Sequence, residues 1–191
     1  MRLALTAFTR RGAALARQIA AALEGAGHTC ALALPSRLAD GLGETGYGEL
    51  QDWTGARFAG CDGLIFVGAF GIAVRAIAPF VRDKLTDPCV VGVDEAGRFA
   101  IPLLSGHVGG GNDLARQIAA LTGGTAAVST ATDLNGRFSV DQWAARAGMA
   151  LGNRDAIKRV SAALLEGEPV GFASAFPVAG ALPAGLIRGA A

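Results

Sequence analysis

Apolar positions along the chain fall in short blocks separated by glycine-, proline- or charge-rich breaks, and the blocks alternate between two rhythms. RLALTAF at the N-terminus is a continuous apolar run, as a buried strand requires. In the next block, GAALARQIAAALEG, Leu15, Ile19, Ala22 and Leu23 recur at helical spacing, and Gly25 and Gly27 end the pattern. HTCALALP restores a strand that stops at Pro35, so the chain opens strand–helix–strand, a unit with parallel strands and the helix on one face. Residues 36–48, SRLADGLGETGYG, show no period and read as a surface loop. ELQDWTGARFAG predicts a short helix, and CDGLIFVGA a central parallel strand bounded by glycines. In GIAVRAIAPF, Ile72, Ala73, Ala76 and Ile77 mark one helical face, which Pro79 limits.

The polar turn VRDKLTDP leads to two apolar runs, CVVGVD and RFAIPLL, joined through EAG as a β-hairpin. The second run empties into SGHVGGGN, after which DLARQIAALTG predicts a helix and TAAVST a short strand. ATDLNGRFSVDQWAARAG is a polar turn leading to another helix, and Pro169 to Ala191 reads as a small strand plus an irregular tail. The alternation predicts an α/β fold, a three-layer sandwich with a mostly parallel sheet over residues 1–135, followed by a small α/β appendage over 136–191.

Composition narrows the class. The 191 residues suffice for one ordinary domain with an appendage. The hydrophobic fraction of 51% and mean hydropathy of +0.39 are high, yet Ala and Gly supply much of both and no apolar run reaches the roughly 18 residues of a membrane helix. Arg10 and Arg11 interrupt the N-terminus too early for a secretory signal, so a cytoplasmic protein is expected. Net charge is +1, and the 17 basic residues, of which only Lys84 and Lys158 are lysines, are scattered; nucleic acid is not an expected partner. Cys30, Cys61 and Cys89 lie far apart without C-x-x-C spacing, so neither a disulfide framework nor a zinc site follows.

Candidate chemistry concentrates in Ile101 to Asn112, IPLLSGHVGGGN. Gly106, Gly109, Gly110 and Gly111 let backbone approach a ligand without a Cβ in the way, and the following helix N-terminus favours an anion or a developing oxyanion. The same glycines serve equally in a tight packing turn, and the loop is neither G-x-G-x-x-G nor a lysine-bearing phosphate loop. His107 suits a general acid or base, a carbonyl cap or a solvated side chain. The turn TRRG, Thr9 to Gly12, either receives a ligand group at the C-terminal edge of the sheet or leaves Arg10 and Arg11 in solvent. Arg75, in an apolar helix, either snorkels or reaches for a carboxylate.

GIAVRAIAPFVRDKLTDPCVVGVDEAGRFAIPLLSGHVGGGNDLAR and then STATDLNGRFSVDQWA resemble the CbiG family of anaerobic cobalamin biosynthesis, the cobalt-precorrin-5A hydrolases. The likeness runs in order from about Cys61 to Gly171, with the turn near Thr6 to Gly12 agreeing more loosely. It implies a ring-contracted cobalt corrinoid whose ring-A acetate is closed as a δ-lactone onto the extruded meso carbon; water opens the lactone and acetaldehyde leaves. Cobalt would arrive with the substrate, and no separate cofactor or protein-bound metal is implied. The corrinoid and water are then the expected partners, without nucleic acid or membrane, and a homodimer is left open.

Such a reaction needs a base for water, donors for a tetrahedral oxyanion, and proton transfers as the carbon–carbon bond breaks. On the resemblance, His107 and Asp133 are the expected catalytic groups. Ser105, Gly106, Gly109, Gly110, Gly111, Asn112 and Thr132 would surround the substrate, and Arg75 and Lys84 would pair with its acetate or propionate side chains. Thr132 and Asp133 equally suit an Asx turn or a cap at TATD. Family members usually carry a further C-terminal domain with a glycine, cysteine and arginine motif, and nothing like it follows GFASAFPVAGALPAGLIRGAA. Residues 136–191 would then be a small domain of the family's central type, incomplete here. Either a separate protein supplies the C-terminal domain, or it is dispensable, or the chain binds the corrinoid without hydrolysing it. A nucleotide-binding α/β domain fits less well, lacking both the P-loop lysine and an acidic ribose partner.

Overall fold

The computed structural model describes residues 1–39, 45–131 and 136–189. They form two compact units, Met1–Val128 and Ser129–Ala191. In the first, β1 (Arg2–Ala7), α1 (Arg10–Gly25) and β2 (Thr29–Pro35) are the strand–helix–strand opening. The segment read as loop requires a correction: Ser36–Leu38 is a 3-10 turn, and Thr45–Tyr47 is a strand, β3, paired parallel with β2. Three residues at a sheet edge carry no readable alternation. What holds β3 is Tyr47, whose hydroxyl lies 2.8 Å from Thr6 Oγ1 and whose ring stacks on Trp53 with centroids 5.4 Å apart.

Next come α2 (Leu50–Gly60), β4 (Gly63–Val67), α3 (Phe70–Ile77), β5 (Cys89–Val93), β6 (Phe99–Leu104), α4 (Gly111–Thr122) and β7 (Thr125–Ala126). The sheet order is β3-β2-β1-β4-β5-β6-β7, with every neighbouring pair parallel except the β5–β6 hairpin. Right-handed crossovers decide which face each helix covers. The step from β1 to β2 and the steps through β4 to β5 cross the sheet in opposite directions, so α1 lies on one face and α2 and α3 on the other. Because β6 runs backwards, its own right-handed step to β7 returns α4 to the face of α1.

Burial follows this layering. Leu3, Leu5, Ala7, Ile65, Val67, Val91 and Val93 pack against Ala13, Ala16, Ile19 and Leu23 of α1 and Leu114, Ala115 and Ile118 of α4. On the other face Ala4, Leu64, Phe66 and Val90 meet Trp53 and Phe58 of α2 and Ala73, Ala76 and Ile77 of α3. Strands covered on both faces are why these runs read as continuously apolar.

Asp94 closes the β5–β6 turn, accepting from the N–H groups of Phe99 at 2.7 Å and Ala96 at 3.3 Å and from the Arg98 guanidinium at 3.5 Å. Burial pushes its carboxyl up, but the two N–H groups and Arg98 outweigh that and hold it below the ordinary value. Asp94→Ala is expected to cost about 1–2 kcal/mol at neutral pH by urea unfolding. A depressed folded pKa means the contribution is present above the unfolded carboxylate pKa of about 3.9 and lost as pH falls through the lower folded value. The gap between wild type and variant should therefore close on acidification below about pH 4.

The second unit holds α5 (Val140–Arg146), α6 (Arg154–Glu166), β8 (Val170–Phe172) and β9 (Leu186–Arg188). Asn153 caps α6 by accepting from Ala156 N–H at 3.3 Å, and Gly167 ends it at φ 81°. The tail read as irregular contains β9, which pairs parallel with β8. Among the described residues no helix is long and apolar enough to cross a membrane.

Candidate functional site

Antiparallel pairing sets Leu104 beside Val90, so β6 delivers Ser105 to the edge of the sheet where β1, β4 and β5 begin. The register slips between Val90 and Val91, and a bulge of this kind re-aims the chain as it leaves the strand. Ser105 is the one described residue other than glycine with positive φ, at 47°, a conformation that costs on the order of 1–3 kcal/mol. Its hydroxyl is buried with no hydrogen-bond partner. Next to it His107 is half-buried, and Asn112 is fully buried in the first turn of α4.

The glycines of this loop act first through packing. A Cβ at Gly106 would strike Asn112 Oδ1, one at Gly109 would lie 2.7 Å from both Cβ and O of Ser105, and one at Gly111 would crowd Gly106 Cα at 3.1 Å. The loop also uses its own donors. Gly111 N–H donates to Ser105 O at 3.3 Å, Gly110 N–H to His107 O at 3.4 Å and Asn112 N–H to Gly106 O at 2.7 Å. Of the consecutive glycines 109–111, Gly110 and Gly111 use their N–H groups in that internal set, and Gly109 stays outside it.

Cys89, the first residue of β5, forms the floor, its Cβ 3.2 Å from where a Gly111 side chain would begin. Burial pushes its thiol up to about 12. Burial, with Glu24 adding to it, takes Cys30 to about 11. In the native protein at pH 8 we expect iodoacetamide to leave Cys89 unmodified by mass spectrometry until denaturant is added, since the thiolate is the reactive form.

Lys84 lies exposed in the turn that enters β5, on the same edge as the loop. Arg75 does not. Its Nη1 donates to Gly71 O at 3.2 Å in the first turn of α3, which starts where β4 ends. Strand β5 alone, at roughly 3.3 Å per residue, sets the two edges about 15 Å apart. The expected pairing of Arg75 with the glycine loop around one ligand is thus not assembled. Thr132 and Asp133 lie outside the described residues.

The edge that holds Arg75 has a site of its own, which the sequence did not single out beyond the turn at Thr9. A cleft of about 390 Å³ is lined by Phe8, Thr9, Gly68, Ala69, Phe70, Ile72, Asp94 and Glu95. It sits where β1 and β4 end and their helices depart to opposite faces, the usual crevice of an open α/β sheet. Thr9 accepts from Gly12 N–H at 3.0 Å, capping α1, and donates to Glu95 Oε2 at 2.6 Å. Arg37 Nη2 donates to Phe8 O at 3.0 Å. Gly68, at φ 146°, keeps the wall open, because a Cβ there would lie 2.8 Å from the Phe8 ring. Ile72, which the helical pattern placed in the core, is 36% exposed at the cleft.

Residues 52–133 match the family model described as cobalamin synthesis G N-terminal, and residues 138–190 the one described as cobalamin biosynthesis central region. The cobalt-precorrin-5A hydrolase of Salmonella typhimurium is 37% identical over 175 residues, covering 89% of this chain and 47% of that protein. Its namesake from Priestia megaterium is 37% identical over 113 residues, 59% of this chain and 30% of that protein. The fold is shared with the crystal structure of a cobalamin biosynthesis protein G homologue from Sulfolobus solfataricus, at a TM-score of 0.61 and 20% identity over 97% of this chain and 52% of that one. The chain spans about half the length of the Salmonella protein and of the Sulfolobus chain.

Proposed function

The chain belongs to the cobalamin biosynthesis G family, of which it carries the N-terminal and central regions, and from that premise we propose that it takes cobalt-precorrin-5A and opens its δ-lactone with water. Water adds to the lactone carbonyl, the ring acetate is released as a carboxylate, and the oxygen on the extruded carbon becomes a hydroxyl. Loss of that hydroxyl's proton then breaks the carbon–carbon bond to the macrocycle. The electron pair and a proton pass to the macrocycle, and the two-carbon fragment leaves as acetaldehyde.

His107 is the proposed acid–base group, taking a proton from water and returning one during fragmentation. The observation that carries this assignment is Ser105, held at positive φ with a buried hydroxyl that nothing claims, immediately before Gly106 and His107. Strain and an unclaimed donor together are features retained where a site requires them. Ser105 Oγ–H and Gly109 N–H are the proposed oxyanion donors, and Lys84 meets a peripheral carboxylate. Asp133 is a second proposed proton carrier, with Thr132 beside the substrate. Cobalt belongs to the substrate, no further cofactor enters, and the cytoplasm is the proposed setting.

The share of the relatives that this chain spans favours one other reading, in which it binds the corrinoid and the chemistry needs the remainder. Anaerobic incubation of the purified chain with cobalt-precorrin-5A, following the corrinoid by mass spectrometry and trapping acetaldehyde, separates the two. Acetaldehyde from this chain alone supports the hydrolase; saturable binding without acetaldehyde supports the binding module; neither result would sink both.

A further inference from the structure

We propose that the cleft at the C-terminal ends of β1, β4 and β5 is a second ligand site, separate from the glycine-loop edge, that takes a flat apolar molecule bearing one negative charge. Its lining supplies the apolar part. The Phe8 and Phe70 rings and Ile72 are incompletely buried and border a space of about 390 Å³, the size that holds a small ring system. Phe8 is backed by Phe66, with ring centroids 6.5 Å apart at 21°, so the wall is firm.

Charge sets the rest. Two guanidiniums flank the cleft from different elements, Arg37 fixed on Phe8 O and Arg75 on Gly71 O between two lining residues. Against them stand Asp94 and Glu95. Asp94 is committed to the hairpin turn and to Arg98, while Glu95 accepts the Thr9 hydroxyl. With Asp94 paired to Arg98, the two guanidiniums that hydrogen-bond to the cleft walls, Arg37 and Arg75, outnumber the remaining lining carboxylate, Glu95, which favours an anion. The two carboxylates in the lining disfavour a macrocycle rimmed with many carboxylates, so this is a different ligand class from the proposed substrate.

The test titrates the isotope-labelled full chain with 2-naphthoate and its neutral counterpart 2-naphthamide, reading backbone amide shifts. We expect 2-naphthoate to shift the amides of Phe8, Gly68 to Ile72 and Glu95 saturably, leaving Ser105 to Asn112 unmoved, and 2-naphthamide to bind about fivefold more weakly. Arg75→Gln, at an exposed position, should weaken 2-naphthoate about fivefold and leave 2-naphthamide unchanged. Equal affinity for acid and amide, shifts centred on the glycine loop, or indifference to Arg75→Gln would each overturn the proposal.

Discussion

His107→Ala is expected to lower acetaldehyde release from cobalt-precorrin-5A by about 10²- to 10⁴-fold, the range for loss of a general acid or base. Apparent affinity should change much less, because the proposed corrinoid contacts are spread over Lys84 and the loop backbone, whereas the proposed proton transfer rests on one ring. His107 is half-buried, and the loop glycines around it pack on Ser105, Asn112 and Cys89. Its carbonyl, which accepts from Gly110 N–H, survives in the variant. A structural fault would lower thermal stability alongside rate, while loss of an acid–base group would leave stability intact and be partly rescued by added imidazole. Full turnover in the variant would move the acid–base role elsewhere, to Asp133 first.

Phe66→Ala should cost about 3–5 kcal/mol of stability, the usual result of emptying a core aromatic site. Phe66 is 1% exposed on β4, meets Trp53 edge-on with centroids 5.9 Å apart, and stacks behind Phe8. Both neighbours are rings that cannot collapse far into the space, so the residual cavity stays large. Urea unfolding followed through the first unit should show a lower midpoint at nearly unchanged slope. Phe8 would also lose its backing, so 2-naphthoate affinity should fall even where the protein is folded. A cost below about 1 kcal/mol would mean that the layer between α2 and the sheet relaxes freely.

How much of this could be read beforehand depends on where each signal resides. Helix α1 was legible because Leu15, Ile19 and Leu23 repeat one turn apart, and the β5–β6 hairpin because two apolar runs meet at a short polar turn. Strands β3 and β9 were not, since three residues each give no period, and Tyr47 owes its place to Thr6, far away in the chain. The glycine loop was visible as chemistry, but whether its glycines serve packing or a ligand turned on Asn112 and Ser105 folding back onto them. Likewise the family motif runs unbroken through Arg75 and His107, and only the reversed strand β6 shows that they occupy opposite edges. The cleft has no contiguous sequence signal because Phe8, Phe70 and Glu95 come from three separate turns.

Strand β1 precedes β4 in the chain and sits near the middle of the sheet, and its pairing with β4 brings Arg2 against Asp62, 60 residues away in sequence. At roughly 5–20 residues per second, that partner arrives about 3–12 s later. Until then an apolar strand edge stands open in the nascent chain, where a chaperone or a neighbouring polypeptide can reach it. Changes to β1 therefore act on the keystone of this domain, and codon choice over the stretch from β1 to β4 should influence soluble yield more than choice over the second unit.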